Sequence, residues 1–101
     1  MRLEDQNTEA LFQTILRLKN LEEAKMFFRD LLTENEIHEF SNRWKAARML
    51  HHGETYKAIQ KETGLSSTTV ARISKWLESG MDGYKRMLNQ IEHHGDSSET
   101  S

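Results

Sequence analysis

The residues with the most chemistry to offer lie together in the stretch from Glu54 to Glu78, ETYKAIQKETGLSSTTVARISKWLE. Within it Ser67, Thr68, Ala71, Arg72 and Lys75 fall on one side of a helix, and that side carries no acid before Glu78. Short side chains let a backbone come close to a partner, hydroxyls donate to phosphates or base edges, and an arginine or lysine bonds guanine. The first turn of such a helix also favours a phosphate through its free N–H groups and dipole. Thr55, Lys57, Lys61, Ser66 and Thr69 complete the expected contact set, the two lysines as sequence-independent phosphate contacts. This chemistry suits a helix entering the major groove of double-stranded DNA. A glycine-centred turn between amphipathic helices also occurs in purely structural hairpins. The alternative is therefore a protein-interaction module that keeps the motif only as scaffold.

The elements that must position these side chains are two short helices, together a helix-turn-helix over about residues 55–78. The first is expected to start at Thr55, whose hydroxyl can cap it. It would bury Ala58, Ile59 and in part Tyr56, and end at Thr63. Gly64 sits where the turn requires positive φ, and Leu65 pins that turn to the core. Ser66 can cap the second helix, where Val70, Ile73 and Leu77 recur at spacings of three and four and form its buried stripe.

Catalytic chemistry has no comparable support. The chain lacks a metalloprotease-type histidine pair, a glycine-rich phosphate loop and a nucleophile elbow. With no cysteine there is no thiolate zinc site, no disulfide and no cysteine nucleophile. His51-His52 and His93-His94 are adjacent pairs, and neighbours on a helix diverge by about 100°, so they read as helix-end residues facing water. Glu36 is explained by capping and Glu39 by solvent. Trp44 and Trp76 each fall at the edge of an apolar stripe and are expected in the core. No enzyme activity, cofactor or metal is expected. For Arg72 three roles stand open: a base or phosphate contact, the carboxylate of a small ligand, or an ion pair with Glu62 or Glu78.

With 101 residues, 36% aliphatic or aromatic and 30% charged, the chain has the size of one domain. Proline is absent, so nothing but a few glycines interrupts long helices, and an all-α fold follows. No apolar run is long enough for a signal peptide or a membrane span, so a cytoplasmic location is expected. The net charge of −2 argues against a polyanionic partner until it is divided along the chain. Residues 43–76 hold seven bases against two acids, +5, and the rest of the chain is −7. Such a split orients a protein on DNA by one face.

Residues 1–19 read as a first helix, acidic at its start and basic at its end, with Leu11, Phe12, Ile15, Leu16 and Leu18 on more than one side. A second helix, Leu21 to Leu32 after an Asn20 cap, is again broadly apolar. Two helices that need cover on several sides point to a dimer interface. Thr33-Glu34-Asn35-Glu36 matches a capping box. It opens a third helix, running to His51 or His52, with Ile37, Phe40, Trp44, Ala47 and Leu50 as its inner stripe. A last helix is expected from Tyr84 to about His93, closing a single domain over residues 1–94. Residues 95–101 have nothing to bury and are expected to be a disordered tail.

The run LLTENEIHEFSNRWKAARMLHHGETYKAIQKETGLSSTTVARISKWLESGMDGY, residues 31–84, resembles the Trp repressor-like proteins, most closely the YerC/YecD group of Trp repressor-related proteins. ARMLHHGETYKAI and ETGLSSTTVARISKWL are its most specific segments. The resemblance implies an intertwined homodimer of six helices per chain, with two reading heads about 34–36 Å apart on a two-fold operator. It also implies a transcriptional regulator, a repressor in the usual case. In tryptophan-binding members the ligand lies between two arginines, beside a threonine and a glycine. Arg43, Arg72 and Thr33 fall at or near the matching positions and form the candidate pocket for a small-molecule effector. The glycine position is Ile73, whose branched side chain takes the space an indole needs. The expectation is DNA binding without tryptophan, either unaided or with a different, smaller ligand.

Overall fold

The computed structural model describes residues 5–100, with side chains through residue 92. It consists of six helices, α1 (Gln6–Ile15), α2 (Leu21–Leu31), α3 (Glu34–His51), α4 (Tyr56–Thr63), α5 (Ser67–Ser79) and α6 (Gly83–Thr100). There is no strand among the described residues. None of these helices is long and apolar enough to cross a membrane. The chain divides into two compact units, Met1–Ile37 and His38–Ser101, where the sequence suggests one.

In the first unit the ends of the helices follow local capping. The Asp5 carboxylate accepts the N–H of Asn7 at 2.6 Å and opens α1. The helix stops at Ile15, four residues short of the expected end, and residue 4 and those before it lie outside the described residues. Its last N–H groups tighten to bonds three residues back, Arg17 to Thr14 and Leu18 to Ile15. The cause is a competing cap. The Lys19 N–H donates to the Glu23 carboxylate at 2.9 Å and Asn20 is fully extended, its side chain accepting the Glu23 N–H. The chain thus leaves one helix in order to start the next. Between Thr33 and Glu36 both bonds of the capping box are made, at 3.1 and 2.9 Å. The Thr33 N–H, and after it the Thr33 side chain, hold the Glu36 carboxyl below the ordinary glutamate range.

The second unit has its own core. Ala46 and Ala47 of α3, Ile59 of α4, and Val70 and Ile73 of α5 are shielded from water, with Trp44, Met49, Leu50, Leu65 and Tyr84 packed around them. Leu88 of α6 is buried as well. Trp44 stacks on Tyr84, ring centroids 6.2 Å apart, and burial raises the Tyr84 phenol above its usual range against the opposing charge of Arg43. The expected stripe on α3 is therefore rotated. Ala46 joins Ala47 inside, both fully shielded in the cluster with Ile59, Val70 and Ile73, while Phe40 is 48% exposed. On α4, Ile59 is buried but Tyr56 is 43% exposed.

α6 continues as helix to Thr100, through the residues expected to form a disordered tail. No proline stops it, and a single glycine such as Gly95 costs a helix only about 1 kcal/mol relative to alanine. Ser101 and the His93-His94 side chains lie outside what is described.

Candidate nucleic-acid interface

The turn between α4 and α5 is built from hydroxyls and one glycine. The Thr55 hydroxyl accepts the Ala58 N–H at 3.1 Å and starts α4. At the other end Gly64 adopts φ +75° and its N–H returns to the Gln60 carbonyl at 2.8 Å, closing the helix in the left-handed conformation. Thr63, expected only as the last residue of the helix, is 7% exposed and has a further role. Its hydroxyl donates to the Ile59 carbonyl at 2.7 Å and accepts the Leu65 N–H at 3.2 Å, spanning the turn. The signal that could have found it is a threonine directly before a helix-ending glycine, able to bond back four residues. Ser66 then caps α5 by accepting the Thr69 N–H at 3.1 Å, and its hydroxyl donates to that of Thr69 at 3.0 Å.

These bonds divide the expected contact residues into two groups. Thr55, Ser66 and Thr69 are engaged in caps. Ser67, Thr68, Ala71, Arg72 and Lys75 on α5, and Lys57 and Lys61 on α4, are exposed. None of these four cations forms an ion pair among the described residues, whereas Arg43 is held by Glu39 at 3.0 Å and Lys45 by Glu62 at 3.2 Å. The Lys45–Glu62 bridge also removes one of the two carboxylates considered for Arg72, and no Arg72–Glu78 pair is formed. The Arg72 guanidinium lies instead over the Trp76 ring, 6.0 Å from its centroid. Trp76 is 45% exposed, so of the two tryptophans only Trp44 is a core residue. With Val70 and Ile73 inward, Trp76 lies at the edge of the buried stripe, about 60° round the helix from Ile73 and 120° from Val70, and stays partly in water.

The three residues of the candidate effector pocket each have a local partner. Thr33 is committed to the capping box, Arg43 to Glu39 and the ring of Phe40 at 5.9 Å, and Arg72 to Trp76. Arg43 Nε is buried without a hydrogen-bond partner. An open groove of about 510 Å³ does exist in the second unit, with Leu50, Ser74, Leu77 and Lys85 on its walls, but neither Arg43 nor Arg72 lines it.

His51 and His52 lie at the end of α3 and are exposed, as expected, and in addition they share a partner. Their Nε2 atoms approach the same Glu92 oxygen, at 3.1 and 3.6 Å. α3 ends at His51, so the 100° divergence of helical neighbours no longer separates them. Among the described residues no group of three or more potential ligands could hold a metal ion.

The description of the Trp repressor protein family matches residues 6–92. The uncharacterized protein YerC of Bacillus subtilis (strain 168) is 42% identical over 90 residues, 89% of this chain and 86% of that protein. Two solved structures share the fold. A TrpR-like protein from Eubacterium eligens ATCC 27750 has 43% identity and a TM-score of 0.84, covering 89% of this chain and 93% of its own. A candidate Trp repressor from Staphylococcus aureus has 38% identity and a TM-score of 0.83, covering 91% and 95%.

Proposed function

This chain belongs to the Trp repressor protein family, and on that premise we propose that it is a cytoplasmic, sequence-specific DNA-binding regulator, acting as a homodimeric repressor without tryptophan. The observation that carries this reading is the outward side of α4 and α5. Lys57, Lys61, Arg72 and Lys75 stand there exposed and without ion pairs beside Ser67 and Thr68, on a helix-turn-helix whose core is closed by Ile59, Val70 and Ile73. Unpaired cations attract a phosphate backbone, and a guanidinium on an exposed helix side can reach guanine. The homodimer is supported by the large apolar side chains left in water at the end of α1 and on α2, among them Leu16 at 78% and Met26 at 63% exposed. Independence from tryptophan is supported by Ile73, which is enclosed and fills the position a ligand-binding relative keeps open.

The test is selection of bound sequences from a random duplex pool at near-physiological salt, with no added ligand. A two-fold symmetric motif is the expected result, and Arg72→Ala should then weaken the enriched duplex by about 1–3 kcal/mol if a bidentate base contact is lost. Absence of any motif, with elution from heparin at low salt, would replace this reading by the protein-interaction module.

A further inference from the structure

The pairing of Arg72 with Trp76 raises a question that the DNA reading alone does not answer. An arginine that reads a base must present its N–H edge in a defined direction, yet the side chain is long and rotates freely unless something holds it. A carboxylate beside Arg72 would hold it, but would also occupy the donors. Here that competitor is absent, because Glu62 is bound by Lys45 at 3.2 Å. What lies under the guanidinium is an aromatic face, 6.0 Å from the Trp76 centroid, at the outer limit of a cation–π contact. Stacking of this kind leaves the planar N–H edge of an arginine free.

The backbone makes the arrangement a property of α5. Residues four apart share one side of a helix. The rotation of α5 is set by Val70 and Ile73, which are shielded from water and packed against Ala46, Ala47 and Ile59. With those two inward, Arg72 and Trp76 both face outward. The indole, 45% exposed, is part of the same outer side as Arg72 and Lys75 and not of the core. Resting on the proposed function, we infer that Trp76 is a positioning residue for Arg72. Its ring face acts as a shelf that orients the guanidinium toward DNA, so the chain itself supplies an alignment for which no bound effector is required.

The experiment is a double-mutant cycle on the full chain. Affinity for the selected duplex and for a scrambled duplex of equal length is measured by fluorescence anisotropy. Trp76→Ala should weaken the selected duplex roughly two- to five-fold, as expected for one exposed aromatic–cation contact, and leave the scrambled duplex and the melting temperature unchanged. Trp76→Phe, which keeps an aromatic face, should restore most of the loss. In the Arg72→Ala background, Trp76→Ala should have no further effect. An equal loss in that background would show that Trp76 acts on its own, and the inference fails.

A second readout needs no DNA. In a Trp44→Phe protein, Trp76 is the sole indole, and Arg72→Ala should raise its acrylamide quenching as the ring face is uncovered. Unchanged quenching would overturn the stacking. Raised quenching in a protein that selects no duplex would keep the stacking, reject its DNA role and locate the failure in the functional reading.

Discussion

α4 and α5 bury Ile59, Val70 and Ile73 almost completely, whereas α1 and α2 bury no residue at all. Both regions are amphipathic and well capped, so local signals alone do not make the difference. The second unit contains the material to enclose its apolar stripes: two small alanines on α3, the turn residue Leu65, and Trp44 and Tyr84 around them. The first unit leaves Leu16, Leu21 and Met26 in water and holds Phe27 and Phe28 edge to face at 5.4 Å. Capping can start and stop a helix, but a helix of ten or eleven residues in water owes most of its stability to a buried face. The helix-turn-helix shares a core with α3 and Tyr84, and the N-terminal helices bury no residue of their own.

Three perturbations sharpen that contrast. The largest effect is expected where apolar cover comes from a second copy. Replacing Leu16 and Met26 together by glutamate removes up to about 1.5–3 kcal/mol per side chain that association would bury, twice in a two-fold dimer. Sedimentation should then show dimers for the natural chain and monomers for the variant at micromolar concentration. A natural chain that sediments as a monomer would break the comparison.

Next comes Ile59→Ala, which opens a cavity in the helix-turn-helix core and should cost about 2–5 kcal/mol in chemical denaturation. A loss below 1 kcal/mol would mean that α4 is not held by this core. Smallest is the capping box. The folded Glu36 carboxyl titrates below its unfolded value, so its contribution is complete above the ordinary glutamate range and is lost as pH falls through the lowered folded value. The melting temperature should decline over that acidic window in the natural chain and less steeply in Glu36→Gln. Parallel curves would assign the acid sensitivity elsewhere.

The features legible in the sequence are those whose cause lies within about four residues. Thr55, Ser66, Asn20 and the Thr33–Glu36 box cap helices as their types and spacing suggest, and Gly64 ends α4 at positive φ. The resemblance carried the fold further, to six helices, and the related structures agree with it. On α4 and α5 the sequence marked Thr55 and Ser66 as caps, but that Thr69 is engaged with Ser66 while Ser67 and Thr68 stay exposed was not legible. Whether a hydroxyl caps a helix or faces outward depends on backbone angles at one turn.

Chain order and composition by themselves determined an all-α protein, a glycine turn between two amphipathic helices, and a basic segment in an acidic chain. Only the tertiary structure decided that Ala46 goes inward while Phe40 and Trp76 stay in water, that Glu62 serves Lys45 and leaves Arg72 to an indole, and that His51 and His52 meet Glu92 from 41 and 40 positions away. The physical reason is rotation. A period of 3.6 residues defines an apolar side only to within about one residue. Close packing of neighbouring helices then selects which side chains at its edge are enclosed and which remain free to bind.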